Sequence, residues 1–396
     1  MRYDAVIVGG SIGGLYTALA LARQGRHVRV VERRPAIGVP VRCGEATGNR
    51  GELARFIPVE EEWIRGEIDG LAVHINESCV PRRELPDAAL MLDRRRLELS
   101  LARQAREHGA EITLGTTATG LSGADLPHTV AGITTGSGET VGASWVIGAD
   151  GAESSVGRWA GLTEALALRD SFSAAQFRVC AGDYHDGMLH FFVGAEIIPG
   201  GYIWVFPRGG SHLSVGAGLY GPSPDRPNAL WYLERFLDRV FPGAKRDRLI
   251  TGNVPLAVCP RFPARGNVFV VGDAARQANP LIAGGIMNTF EAADCLVRNL
   301  CGSATPAVAA KRYSRQWRAE QRRFQIGMFI AAEMVRRADD RELNRALRAL
   351  DTVFAEPVDR SKPFRLSPRH VVLILRHFLP KLVGHWRHIP SLVLNR

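Results

Sequence analysis

Lysine is scarce in this chain: among 50 basic residues only Lys245, Lys311, Lys362 and Lys381 are not arginine. The formal charge of +10 therefore reflects an arginine-biased composition of the kind a GC-rich genome produces. No basic stripe interleaved with aromatics, zinc finger or RNA-binding signature accompanies it, so nucleic acid is not an expected partner. Cysteine is sparse as well. Cys43, Cys79, Cys180, Cys259, Cys295 and Cys301 are scattered, without CxxC or His/Cys ligand spacing. That pattern argues against a disulfide framework and a structural metal, and favours a reducing, cytoplasmic setting. No run of about 18 apolar residues is present to cross a membrane, and "MRYDAVIVGG" enters a strand without room for a signal peptide. The remaining composition is that of an ordinary globular chain, long enough at 396 residues for about two or three domains.

What the chain does have is glycine in telling places. "YDAVIVGG" is a short apolar run, "GLYTALALARQ" has helical spacing closed by Gly25, and "HVRVVE" alternates towards an acid. Within this βαβ unit Gly9, Ser11 and Gly14 occupy the G-x-G-x-x-G positions, and Glu32 follows about 20 residues on. The first glycine permits the tight turn and the last permits close helix–strand packing. The helix N-terminus then meets a pyrophosphate, while Glu32, followed by Arg33, is placed for the ribose hydroxyls. Ser11 departs from the pattern, but it is small and can itself donate a hydrogen bond. A second match, Gly216, Gly218 and Gly221, precedes Pro222 and Pro224. No helix can start there, so that stretch is expected to be a strand and a turn.

"LDRRRLELSLARQAREHG" predicts a helix over about Arg94 to His108, and "ASWVIGADG" and "GNVFVVGDAA" are further apolar strands ending in Gly-Asp chemistry. Between these two strands, over 166–258, short alternating stretches suggest an antiparallel sheet. From Pro306 to Pro357 the chain reads as helical.

"VIGADGAESSVGRWAG" and "GNVFVVGDAARQANPLIAGGI" resemble the second and third FAD-binding motifs of the flavoprotein hydroxylase-like superfamily. With the βαβ unit and "LDR" at 92–94, the match spans roughly residues 3–300. "PGGYIWVFP", with Pro199, Tyr202, Trp204, Phe206 and Pro207 as P-x-x-Y-x-W-x-F-P, is similar to the signature of the geranylgeranyl reductase family, as are "RCGE" at 42–45 and "DGAESSVGRWAG" at 150–161. The fold the resemblance implies is α/β: a Rossmann-like FAD-binding domain of the glutathione-reductase and p-hydroxybenzoate-hydroxylase type, an antiparallel β substrate domain and a helical C-terminal region. The expected boundaries are 1–165 plus 259–305, then 166–258, then 306–396.

The resemblance also implies roles. Asp273 would hold the ribitol chain. Gly284, Gly285 and Ile286 would bring a helix N-terminus to the flavin pyrimidine edge. Arg94 and Arg42 would lie on the flavin side, and Asp150 and Gly151 near the pyrophosphate. Tyr202, Trp204 and Phe206 fall on one strand face, either as a wall for a long apolar substrate or as an ordinary core face. Cys43, in the loop the family brings to the flavin, is the candidate catalytic residue for delivering a proton. Alternatives for it are shaping the pocket or simple packing, and Arg42 beside it would favour thiolate over thiol. The function so implied is FAD-dependent reduction of isolated C=C bonds in a geranylgeranyl or other polyprenyl group, with NAD(P)H or reduced ferredoxin as transient electron donor. The alternative is a flavin monooxygenase acting on an aromatic or natural product. Beyond Asp359 the chain has no acid but carries Arg360, Lys362, Arg365, Arg369, Arg376, Lys381, Arg387 and Arg396. Such a basic amphipathic tail is suited to peripheral contact with an anionic membrane, or to a solvated helical cap.

Overall fold

The computed structural model describes residues 2–345, except 77, 80–82, 124–128, 183–185 and 222–224. The basic tail therefore lies outside the described residues. At the centre of a first sheet is β1 (Tyr3–Val8), with β2 (Val28–Val31) and β10 (Thr140–Gly148) parallel on either side. Outward of these, in the same direction, run β7 (Glu111–Thr113) and β18 (Val268–Val270). A two-residue edge strand, β17 (Ala264–Arg265), and the antiparallel pair β8 (Ala118–Ser122) and β9 (Gly132–Thr135) complete it.

Four helices cover one face of this sheet: α1 (Ile12–Ala22), α3 (Arg94–Glu107), α6 (Ile286–Cys301) and α7 (Pro306–Trp317), with α2 (Arg50–Ala54) adding Leu53. Because α1 is enclosed by β1, α3 and α6, it is apolar nearly all round rather than amphipathic. Asp93 starts α3 by accepting a hydrogen bond from Arg96 N at 3.1 Å, a side-chain cap on an otherwise orphaned N–H. The other face packs against α4 (Ser155–Trp159) and the β8–β9 pair. After α7, helical backbone continues through Arg318–Arg322 into α8 (Arg323–Arg337), as the sequence predicts for this region.

The second sheet has ten strands. Its main path runs β15 (Lys245–Arg246), β11 (Ser171–Cys180), β14 (His212–Tyr220), β13 (Ile198–Pro207), β12 (Met188–Gly194), β4 (Ile64–Ile75), β6 (Arg83–Leu92) and β3 (Ala46–Thr47). Side branches are β16 (Ile250–Pro255) on β11 and β5 (Ser78–Cys79) on β4. α5 (Ala229–Val240), capped by Asn228, covers one face of it.

Within 166–258 every strand pairing among the described residues is antiparallel, as expected. The sheet nevertheless extends beyond that stretch: β3, β4, β5 and β6, placed by the sequence in the first unit, join it, and β4 runs parallel to β12, with Met188 opposite Gly70 and Val193 opposite Ile75. Alternation along "EIDGLAVHI" marks a half-buried strand but cannot say which strand, 120 residues away, will complete its hydrogen bonds.

The candidate active site

Three glycine-rich turns leave the carboxyl ends of β1, β10 and β18. Since these strands are parallel neighbours, the turns converge at one edge, where open α/β sheets bind ligands. Gly9 has φ +111° and faces the Ala149 carbonyl so closely that any Cβ would overlap it; a Cβ on Gly14 would overlap the Gly9 carbonyl. These contacts give the spacing of the first motif its physical content: β1 and α1 can meet only through bare backbone. The α1 N-terminus has no acidic residue in its first turn and no side-chain cap, leaving its N–H groups for an anion. Glu32 accepts from Gly10 N at 2.6 Å and Arg34 N at 2.8 Å, which fixes its carboxylate at the end of β2.

Ser11 has a partner the sequence did not reveal. Its hydroxyl donates to Glu98 Oε1 at 2.6 Å, and Arg94 donates to both, at 2.8 Å to Ser11 Oγ and 3.0 Å to Glu98. Glu98 is buried and lies one helical turn beyond Arg94, a spacing at which side chains on α3 meet; that was the available signal. Asp150 is committed locally, accepting from Ser154 Oγ, Ser155 N and Val156 N at 2.6, 2.7 and 3.0 Å. Its side chain therefore shapes the 150–155 turn.

At the other end of the cavity stand Asp273 and the α6 N-terminus. Burial raises the Asp273 pKa, with Arg94 pulling the other way. Gly285 caps α6 without a side-chain hydrogen bond, and no acid lies in the first turn, so the positive end of the helix dipole is left open. Fully buried Gln277 accepts from Gly272 N at 2.7 Å and donates to Tyr313 Oη at 3.1 Å, bracing the turn that holds Asp273.

The 42–48 loop is anchored by Glu45, a second residue not singled out beforehand. Glu45 is 1% exposed and adopts φ +71°, a left-handed conformation uncommon for a non-glycine. Its carboxylate is ion-paired to buried Arg208, lies 3.7 Å from Arg178, and accepts from Arg94 N at 3.0 Å. Cys43 Sγ accepts from Glu45 N at 3.2 Å, and Cys43 O from Gln176 Nε2 at 2.8 Å. The Arg94 guanidinium, whose hydrogen bonds go to Ser11 and Glu98, is the cation that acts electrostatically on the thiol. Arg42 is exposed and lays its stem over Gly252, so the neighbour in sequence is not the cation that engages Cys43. Burial opposes the charge on Arg94, but Glu98, Cys43 and Asp273 outweigh it and raise its pKa.

Opposite this loop Tyr202, Trp204 and Phe206 form one face of β13, joined by Phe172 and Phe191. Adjacent ring centroids along β13 are 6.0 and 6.4 Å apart. Directly across on β14 lie Gly218, Gly216 and Ser214. A Cβ on Gly216 would overlap the Trp204 ring, and one on Gly218 the Phe172 ring. The second glycine motif is thus a strand, as expected, and its glycines make room for aromatic rings. The Trp204 indole N–H is buried and finds no acceptor among the described residues.

All of these surfaces border one cavity of about 780 Å³. Every site residue named from the sequence lines it except Gly14, which packs behind it. The residues fit FAD: two uncapped helix N-termini, an acid at the end of β2, and a glycine turn that a Cβ would fill. Among the described residues no three His, Cys, Asp or Glu side chains are grouped to hold a metal, and no helix is long and apolar enough to cross a membrane.

Fold and site define an FAD-dependent flavoprotein of the hydroxylase-like class. Residues 2–185 match the model of an FAD binding domain, and residues 170–256 that of the geranylgeranyl reductase catalytic domain. Among curated relatives, the digeranylgeranylglycerophospholipid reductase of Methanosarcina mazei is 34% identical over 306 residues, covering 74% of this chain and 73% of its own length. That of Methanothrix thermoacetophila is 32% identical over 98% of this chain and all of its own. A crystal structure of a geranylgeranyl bacteriochlorophyll reductase-like protein from Thermoplasma acidophilum superposes with TM-score 0.83 at 27% identity, covering 98% of both chains. PqsL from Pseudomonas aeruginosa shares the fold, with TM-score 0.65 at 16% identity over 88% of this chain and all of its own. The chain belongs to the geranylgeranyl reductase family and is an FAD-dependent oxidoreductase.

Proposed function

We propose that this protein reduces isolated C=C bonds in the geranylgeranyl chains of a membrane-type lipid. The observation that carries the reading is a wall of aromatic rings closing the same cavity as the open α6 N-terminus and the Cys43 loop. Curated relatives named for reduction of digeranylgeranylglycerophospholipid support a lipid-borne prenyl substrate. FAD, once reduced, supplies the hydride. Gly9, Ser11 and the α1 N-terminus would hold its pyrophosphate, Glu32 its ribose and Asp273 its ribityl chain.

An isolated alkene has no electron-withdrawing neighbour, so a proton must arrive with or before the hydride. The faces of Tyr202, Trp204 and Phe206 favour positive charge developing on the tertiary carbon by about 1–2 kcal/mol in a dry site. Cys43 is the thiol of the loop that lines the cavity with that wall, its sulfur held by the Glu45 N–H and facing the charge of Arg94. Cys43→Ala should lower turnover severalfold or more while FAD stays bound; unchanged turnover at full flavin occupancy removes the thiol from the reaction. With no second dinucleotide fingerprint, a nicotinamide donor would bind transiently or be replaced by a reduced iron–sulfur carrier. We assign cofactor binding chiefly to the first sheet with its helices and substrate binding to the second, and peripheral membrane contact to the basic tail.

Anaerobic incubation of the FAD-loaded enzyme with a reductant and a geranylgeranylated lipid tests the reading. Products heavier by two hydrogens per turnover are expected. An oxygen-dependent gain of one oxygen would instead make the protein a monooxygenase, and unchanged mass would point to cyclisation.

A further inference from the structure

The turn 279–285, which delivers the chain into α6, is a compact unit. Asn279 Oδ1 accepts from Leu281 N at 2.9 Å and Ile282 N at 3.3 Å. Asn279 N donates to Gly284 O at 2.8 Å, and Ala283 N donates to Asn279 O at 2.9 Å. Ala283 closes the turn at φ +54°. The N–H groups of Leu281 and Ile282 are thus spent on Asn279, while their carbonyls reach two side chains of the other sheet. Tyr202 Oη donates to Ile282 O at 2.9 Å, and Tyr220 Oη donates to Leu281 O at 2.6 Å. Tyr202 and Tyr220 stand on adjacent strands, β13 and β14, with the Phe172 ring between them at centroid distances of 5.0 and 4.9 Å. Phe172 in turn lies over Gly218, where no Cβ could be accommodated.

We propose that Tyr202 and Tyr220 are positioning residues that clamp the 279–285 turn, and with it the α6 N-terminus, to the substrate sheet. The distance from the aromatic wall to the positive end of α6 is then set by two hydrogen bonds on a platform stiffened by Phe172. This rests on the reading that FAD lies against α6 and substrate against β13. Three consequences follow from the geometry. The hydroxyl of Tyr202 is engaged with a carbonyl, and burial raises the pKa of both phenols, so each stays protonated and acts as a donor to the turn rather than as an acid to substrate. Backbone carbonyls make the contact, so these hydrogen bonds do not depend on the identity of the side chain at 282, which is exposed. And a substrate chain pressing on the Tyr202 ring bears directly on the turn that presents the helix dipole to the cofactor.

The test uses full-length, FAD-loaded protein with Tyr202→Phe and Tyr220→Phe, each of which deletes one hydroxyl and keeps the ring. Loss of one such hydrogen bond weakens its partner state by about fivefold. Each variant should hold reduced FAD about fivefold less tightly, with affinity for oxidised FAD little changed. Each should also lower the two-electron midpoint potential of bound FAD by about 20 mV, the same factor converted at about 30 mV per tenfold, because a helix end less well aimed stabilises reduced flavin less. Potential and affinity at wild-type values in both variants would overturn the clamp. If a variant loses FAD outright, thermal unfolding of the apoprotein decides: a melt lowered by no more than a few degrees, the cost of about one hydrogen bond, supports the clamp, and a larger drop overturns it in favour of a general packing role. Neither readout needs turnover. A wild-type protein that binds FAD but saturates no prenyl chain would overturn the proposed reaction and leave the clamp measurement standing.

Discussion

Glu45 sits at the junction of three elements: the Cys43 loop, the first residue of α3 and the end of β13. Its buried carboxylate is paired with Arg208, itself buried, so each supplies the charge that compensates the other. Burial lowers the Arg208 pKa and Glu45 raises it in compensation. Glu45→Gln should therefore cost about 3–5 kcal/mol of unfolding free energy, the usual penalty for leaving one partner of a buried pair uncompensated. Urea denaturation of the apoprotein measures it; a loss under about 1 kcal/mol would mean that water reaches Arg208. The carboxylate was visible in "RCGE", but its importance was not, because Arg208 lies 163 residues away and burial is not a local property. Glu98 was more legible: position i+4 from Arg94 on a recognised helix places the two together.

Among the elements, the β13–β14 pair shows how one strand's side chains depend on the next. Period-two alternation along "YIWVFP" put Tyr202, Trp204 and Phe206 on a common face, and they share it in the structure. Whether that face was core or pocket depended on what stood across from it. Gly216 and Gly218 supply the answer, since they let the Trp204 and Phe172 rings lie against bare backbone and leave the far side of the rings to the cavity. Gly216→Ala should push the Trp204 ring from its seat, costing about 1–3 kcal/mol as overpacking does. It should also raise KM for a geranylgeranyl substrate while FAD affinity holds. A melt and KM matching wild type would show the ring is not seated by Gly216.

Across the whole molecule, the parallel contact of β4 with β12 knits residues 64–75 to 188–193 and makes the second sheet one body. On its outer face His74 Nε2 meets His190 Nδ1 at 2.9 Å, His190 meets Asp186 at 3.0 Å, and Phe192 stacks on His74 at 4.2 Å. Burial, reinforced by His190 and opposed by Asp186, lowers the His74 pKa to about 4. The unfolded chain then binds the extra proton between about pH 6.5 and about pH 4, so stability is full above about 6.5 and is lost as pH falls towards 4. His74→Phe should flatten that part of the urea-midpoint profile; an identical acid slope in the variant would place the effect on other groups.

By itself the sequence determined the local backbone of the cofactor site: a glycine where β1 meets α1, an acid ending β2, Gly-Asp turns after two more strands, and an aromatic face on β13. Each is set by sterics or periodicity within a few residues. Only the tertiary structure decided which strands adjoin, that β3–β6 belong to the second sheet, that Arg94 joins Ser11 to Glu98, and that two tyrosines hold the turn before α6. These depend on segments far apart in the chain meeting through burial and hydrogen-bond completion, which no local pattern encodes.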